Sequence, residues 1–282
     1  MAQRIKKLNE YGLSTENKTY VVAEIGINHG GNVELAKRLI DSAVTTGCDA
    51  VKFQTYITEK RVPLDSPIFD ILKDCELPLS KFGELKEYTS QYNLGFFSTP
   101  FDGESLRCLQ EIGCDLYKVS SFDVANHKFL SSISQTKKPV ILSVGMANID
   151  EIENEYQILR NGTKKIALLH CISAYPTQEW DANLAVIYKL QDKFDCVIGY
   201  SDHTNDIQVP LYAVAAGAQI IEKHYKIDSN MDCVDDPVSI TQKQMQGMVK
   251  EIRRIEKIFG QGNLGITDAQ SAAIVLKRYS KI

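Results

Sequence analysis

Two lysines stand where lysines are costly. Lys52 lies in AVKFQTY (50–56) and Lys118 in LYKVSSFDV (116–124), both runs of mainly apolar, β-branched or aromatic residues. An unpaired ammonium buried in such a run costs several kcal/mol, so each must meet negative charge. Glu24, Asp123, Asp202 and Glu222 occupy comparable runs and could supply it, which makes a structural network of lysines and carboxylates one outcome. A bound anion is the other. Ser98, Thr99, Ser121, Ser143 and Ser201 sit at similar depth in other runs, and hydroxyls around two cations suit a phosphate or carboxylate held by charge-assisted bonds. His203 and His224 close CVIGYSDHT (196–204) and IIEKHYKI (220–227). Two imidazoles are either hydrogen-bonded rim residues or an incomplete metal site with positions left for water or substrate, suited to manganese or magnesium. His29 and His170 are expected to contact substrate or loops, and His127 to lie at the surface.

Convergence of these groups requires an element pattern that brings many strand ends together. Eight runs have strand character: TYVVAEIGIN (19–28), AVKFQTY (50–56), GFFSTPF (95–101), LYKVSSFDV (116–124), PVILSVGM (139–146), KIALLHCIS (165–173), CVIGYSDHT (196–204) and IIEKHYKI (220–227). Amphipathic helical patterns separate them, among them VELAKRLIDSAVTTG, ESLRCLQEIG and IDEIENEYQILRNG. The spacing predicts an α/β fold, a single (β/α)8 TIM barrel over residues 1–282, with strand 1 near 19–28, strand 8 near 220–227 and a closing helix near 241–260. A doubly wound open sheet is the competing architecture, but GINHGG after the first run does not have the G-x-G-x-x-G spacing of a dinucleotide site. In a barrel, the polar residues gathered at the C-terminal ends of the strands line one bowl.

Composition narrows the function classes. The net charge of −4 arises from 36 acidic and 32 basic residues without blocks, which gives no footprint for nucleic acid. Seven cysteines, scattered and without a C-x-x-C pair, predict reduced thiols rather than a disulfide framework or zinc ribbon. With no apolar leader and no apolar run of membrane-spanning length, a cytoplasmic location and no membrane partner are expected.

The strand ends AEIGINHGG (23–31), VKFQTY (51–56), STPFD (98–102), LLHCISAYPT (168–177), GYSDHT (199–204) and IEKHY (221–225) together resemble the signature segments of the N-acetylneuraminate (sialic acid) synthase family, from about residue 20 to 260. The resemblance implies condensation of phosphoenolpyruvate with N-acetylmannosamine or a related sugar, giving a sialic-acid-like 3-deoxy-2-ulosonic acid and phosphate. It implies phosphoenolpyruvate contacts at Lys52, Thr99, Lys118, Ser121, Ser143, Ser173 and Ser201 with Tyr175 beside them, and sugar contacts at Gln54, Asp123, Tyr175 and Asp235. It implies a divalent metal at His203 and His224, manganese first with magnesium or cobalt as alternatives, and a homodimer. Lys52 and Lys118 would stabilise the departing phosphate, and Glu24 or Asp123 would move protons, the choice between them staying open.

Departures from the family pattern gather on the sugar side. Asp123, preceded by Phe122, stands where glutamate after glycine is common, Ser173 where asparagine is common, and Pro67 beside Ser66 where a phosphate-contacting serine is found. DSNMDCVDDPVS keeps Asp235 without the usual Pro-Gly-Pro run. The sequence stops at VLKRYSKI, where most members would continue into a small C-terminal antifreeze-like domain. Two other readings remain: a retro-aldol lyase acting on a related keto acid through a Schiff base at Lys118, and a catalytically silent sugar-acid-binding or scaffolding subunit.

Overall fold

The computed structural model describes residue 13, residues 18–260 and residues 262–278. Its centre is a closed parallel barrel whose strands follow chain order: β1 (Tyr20–Gly26), β2 (Ala50–Thr55), β3 (Gly95–Pro100), β4 (Tyr117–Val119), β5 (Val140–Ser143), β6 (Ile166–Cys171), β7 (Val197–Asp202) and β8 (Ile220–His224). Pairing of β1 with β8 closes the ring. Around it run α1 (Val33–Val44), α2 (Thr58–Arg61), α3 (Phe69–Cys75), α4 (Phe82–Ser90), α5 (Gly103–Glu111), α6 (His127–Gln135), α7 (Ile149–Arg160), α8 (Val186–Lys193), α9 (Gln208–Ala215) and α10 (Gln242–Phe259). This is the TIM-barrel fold that the strand spacing predicts.

Local chemistry sets the helix starts. The Asn32 side chain accepts from Leu35 N at the head of α1, Asp102 accepts from Glu104 N and Ser105 N at α5, and capping boxes begin α7 (Asn148 with Glu151) and α10 (Thr241 with Gln244). Side chains alternate across each strand, so a strand buried on both sides feeds two cores. Outward residues such as Ala23, Ile25, Val51, Phe53, Val119 and Leu142 pack against the helices. Inward residues near the strand starts, among them Val22, Ala50, Phe97, Ile141, Leu169 and Ile220, form a separate apolar plug. That plug is the floor on which the polar bowl rests.

Register brings the polar layer together. Glu24 lies opposite Lys52 on one side and His224 on the other. Gln54 pairs with Thr99, Cys171 with Ser201 and Ser201 with Glu222. Two elements differ from expectation. β4 stops at Val119 rather than running to 124, because Ser120 takes Phe122 N on its hydroxyl and turns the chain into a 3-10 helix, Ser121–Asp123. β1 stops at Gly26, whose φ of +57° turns the chain out of the barrel.

Among the described residues, no helix is long and apolar enough to cross a membrane. All seven cysteines are free thiols.

Candidate active site

The bowl holds a charge network at its centre. Lys52 Nζ lies 2.8 Å from Glu24 Oε1 and 3.7 Å from Glu222 Oε2, and donates to Thr99 Oγ1 at 3.2 Å. Lys118 Nζ lies 3.6 Å from Glu222 Oε1 and donates to Ser143 Oγ at 2.7 Å and to Val119 O at 3.1 Å. Each lysine is only 3% exposed. Of the two outcomes left open by the sequence, the structure shows the first: Glu24 and Glu222 neutralise the lysines, with Thr99 and Ser143 bonded to them. Burial favours the neutral amine at Lys52, but Glu222 and Glu24 outweigh it and raise its pKa. At Lys118 burial prevails over Glu222 and, aided by the Lys52 charge, lowers the pKa. For Glu222, burial opposes ionisation and the two lysines overcome it, holding the carboxyl well below its usual range. Ser201 Oγ also donates to Glu222 Oε1 at 3.0 Å. Glu24 Oε2 and Glu222 Oε2 are buried with no hydrogen-bond partner. Such open acceptors inside a cavity are ready to meet a donor or cation.

Two of the carboxylates weighed from the sequence turn out otherwise. Asp202 does not serve the bowl, because it points to the helix side of β7 and pairs with Lys223 at 2.6 Å, with both side chains wholly buried. Ser98 likewise faces outward, bonded to Thr55 Oγ1 and Phe53 O. Asp123, which follows the shortened β4, takes Asn126 Nδ2 at 3.1 Å, and burial raises its pKa. Of the two candidates for proton transfer, Glu24 lines the central cavity and Asp123 does not.

The two histidines stand together above this network, with ring centroids 5.6 Å apart. His203 Nδ1 lies 2.6 Å from Ile172 O, and a carbonyl can only accept, so the proton sits on Nδ1 and the Nε2 lone pair is free. Burial pushes this imidazole down to about 4, which keeps it neutral at physiological pH. His224 Nδ1 lies 3.2 Å from Asp235 Oδ2, a charge contact without an aligned hydrogen bond. One neutral imidazole with a presented lone pair and a second imidazole backed by a carboxylate form a donor pair suited to a divalent cation. Among the described residues, no three or more histidine, cysteine or acidic side chains form a complete metal cage. His29 and His170 serve the loops instead: His29 accepts from Gly31 N at 3.2 Å, and His170 Nε2 lies 2.8 Å from Ala182 O. His127 is exposed and pairs with Glu155 at 2.9 Å.

The open side of the bowl carries the remaining candidates. Gln54 uses both ends of its amide, giving Nε2 to Glu24 Oε1 at 3.2 Å and taking Arg61 Nη1 on Oε1 at 3.0 Å. Tyr175 lies against the histidines, 4.2 Å from His203 between ring centroids. Ser173 and Ser121 share a hydroxyl contact of 2.9 Å. Around the resulting narrow cavity of about 40 Å³ stand Glu24, Lys52, Gln54, Thr99, Lys118, Ser121, Ser143, Tyr175, Ser201, His203 and His224. Asp123, Ser173 and Asp235 do not line it, although Ser173 touches Ser121 and Asp235 touches His224. Sequence reasoning named no role there for Phe101, Ser120 or Cys171, which also line it. Glu222, weighed from the sequence as a counter-ion for the lysines, serves both of them, and its two-residue offset from His224 places both on one face of β8. Arg61 gave no signal, because it sits on α2, outside the strand runs.

Comparison with known proteins places this geometry among relatives. The NeuB family model matches residues 39–264. The N,N'-diacetyllegionaminic acid synthase of Campylobacter jejuni is 36% identical over 94% of this chain and 84% of its own length. The N-acetylneuraminate-9-phosphate synthase of Mus musculus is 31% identical over 86% of this chain and 71% of its own. Among solved structures, the N-acetylneuraminic acid (sialic acid) synthetase of Leptospira borgpetersenii in complex with citrate superposes with a TM-score of 0.89 at 39% identity, covering 92% of this chain and 91% of that one.

Proposed function

The chain belongs to the NeuB family, and from that premise we propose that it condenses phosphoenolpyruvate with an aldose of the N-acetylmannosamine kind, releasing phosphate and a sialic-acid-like 3-deoxy-2-ulosonic acid. The observation that carries the reading is one cavity in which Lys52 and Lys118, ringed by hydroxyls, face the paired His203 and His224. The synthases named among its relatives support it. Seven free thiols accord with a cytoplasmic enzyme.

Lys52 and Lys118 hold the phosphate and carboxylate of phosphoenolpyruvate, with Thr99, Ser121, Ser143, Ser173 and Ser201 donating to their oxygens and Tyr175 closing the side. Gln54, Asp123, Tyr175 and Asp235 meet the sugar. His203 and His224 would hold a divalent ion, manganese first, which would supply a Lewis acid for the aldehyde oxygen. C3 of the enol bonds to the aldehyde carbon and water adds at C2, giving its proton to Glu24 Oε2, the free oxygen of a carboxylate whose other oxygen stays with Lys52. Glu24 passes that proton to the sugar alkoxide and is regenerated. The C2 hydroxyl then gives its proton to the phosphate oxygen as the C–O bond breaks, and Lys118 and Lys52 stabilise the departing anion.

The test is phosphate release from protein, manganese and phosphoenolpyruvate across a panel of aldoses. Aldose-dependent release is expected, and silence across the panel would count against synthase chemistry. The lowered pKa of Lys118 favours one second reading, a lyase forming a Schiff base there. Borohydride with pyruvate should leave Lys118 unmodified in a synthase and trap it in a lyase.

A further inference from the structure

Arg61 takes no part in the chemistry above, yet it is held at the mouth of the bowl in a defined pose. Its Cζ lies 3.7 Å from the ring centroid of Phe101 and 4.6 Å from that of Tyr56. Tyr56 is pinned in turn by its hydroxyl, which donates to Leu72 O at 2.8 Å. Stacking on two aromatic rings fixes the plane of the guanidinium and removes part of its hydration. Of its five N–H groups, Nη1 donates to Gln54 Oε1, and no other acceptor is found among the described residues. Asp235 and Asp123 act on it through space without forming an ion pair with it. None of its nitrogens is among the buried atoms that lack a partner, so the remaining N–H groups of this half-buried, stacked guanidinium are open to an incoming oxygen.

The surroundings define what arrives. From Arg61 a line of side chains runs inward: Gln54 takes its N–H and passes an N–H to Glu24, which also binds Lys52. A Cβ placed on Gly26 would come within 3.3 Å of Asp235 Oδ2, Gln54 Nε2 and Glu24 Oε1 alike, so these three groups converge on one point. Arg61 therefore stands beside Gln54, Asp123 and Asp235, the groups that meet the sugar in the synthase reading. Two carboxylates already offset its charge, so a second anion would meet Asp123 and Asp235 as well as the guanidinium. A neutral oxygen would not.

We propose that Arg61 is an acceptor-specificity residue, its free N–H groups binding a hydroxyl or acyl-carbonyl oxygen of an uncharged sugar whose own hydroxyls donate to Asp123 and Asp235. This rests on the synthase reading. A site built to hydrogen-bond a substrate oxygen discriminates strongly against substrates that cannot satisfy it, and its loss appears in acceptor binding before donor binding.

The experiment measures steady-state phosphate release with manganese, phosphoenolpyruvate and either N-acetylmannosamine or its 6-phosphate, for the wild type, Arg61→Ala, Arg61→Gln and Arg61→Lys, with calorimetric binding of phosphoenolpyruvate alongside. The wild type is expected to prefer the uncharged sugar by about tenfold or more in kcat/KM, and Arg61→Ala to raise its KM about tenfold with the phosphoenolpyruvate KM within about twofold. Arg61→Lys should recover part of the loss, since an ammonium donates but does not stack in the same plane. Should Arg61→Ala fail to fold by its thermal transition, Arg61→Gln and Arg61→Lys carry the same expectation. An unchanged acceptor KM, a preference for the phosphorylated sugar, or equal changes in both KM values overturns the assignment. Binding of phosphoenolpyruvate with turnover of neither sugar also overturns it and leaves the donor site standing. No binding at all overturns the synthase reading itself.

Discussion

Lys52 and Lys118 share Glu222, at 3.7 and 3.6 Å, so neither lysine can be removed without altering the other's environment. Lys118→Met should lower kcat/KM for phosphoenolpyruvate by about 10- to 100-fold, the value of one charged hydrogen bond, with a lower thermal midpoint because Glu222 loses a counter-ion. Steady-state kinetics and calorimetry check both. His29 supplies a pH dependence outside the bowl. Burial lowers its pKa from 6.5 to about 4. Between those values the unfolded chain takes up a proton that the folded chain refuses, so stability is full above about pH 6.5 and drains as pH falls towards about 4, by up to ~3 kcal/mol. The stability advantage of the wild type over His29→Gln should therefore shrink across that window in urea titrations, and parallel profiles would exclude this role. At this scale the sequence was readable wherever a charge interrupted an apolar run, as at Lys52, Lys118 and Glu222. Arg61 was not, because its position depends on stacking against Phe101, a residue on a different segment.

Elements decide which of the legible charges enter the bowl. Along β8, Glu222 and His224 face inward and Lys223 outward, and on β7 Asp202 turns outward to meet it. The period of two already contains this answer, since residues adjacent in a strand cannot share a face, and reading Asp202 as a partner for the bowl lysines overlooked it. The pair of Asp202 and Lys223, with Lys223 also reaching Thr204 O, ties the ends of the two strands that carry His203 and His224. Lys223→Met leaves Asp202 buried and uncompensated and should cost about 3–5 kcal/mol, read as a fall in urea midpoint; a loss under about 1 kcal/mol would show that the pair is dispensable. Gly26 governs the other side. Its φ of +57° lies in the left-handed region, and a Cβ there would crowd Asp235, Gln54 and Glu24. Gly26→Ala should lower turnover by more than its backbone cost of about 1–2 kcal/mol in stability explains. The turn at Gly26 and the early end of β4 were not legible as strand ends, because local hydrogen bonds rather than hydrophobic pattern set them.

The whole molecule separates support from chemistry by height in the barrel. Apolar side chains fill the lower interior, and the outer core clamps the helices, so the polar groups above stand on a rigid base. Eight strand-like runs alternating with amphipathic segments made the closed barrel legible in the sequence, since parallel strands with helical crossovers bury both faces. The convergence of polar residues from seven strands, β1 to β5 with β7 and β8, on one cavity follows from closure and register, which no single segment displays. The most direct test of that convergence is anomalous diffraction at the manganese edge from crystals grown with manganese and phosphoenolpyruvate. The account predicts one anomalous peak bridging His203 and His224, with the phosphoenolpyruvate oxygens against Lys52 and Lys118 in the same cavity. Manganese bound elsewhere, or phosphoenolpyruvate held away from both lysines, would contradict it.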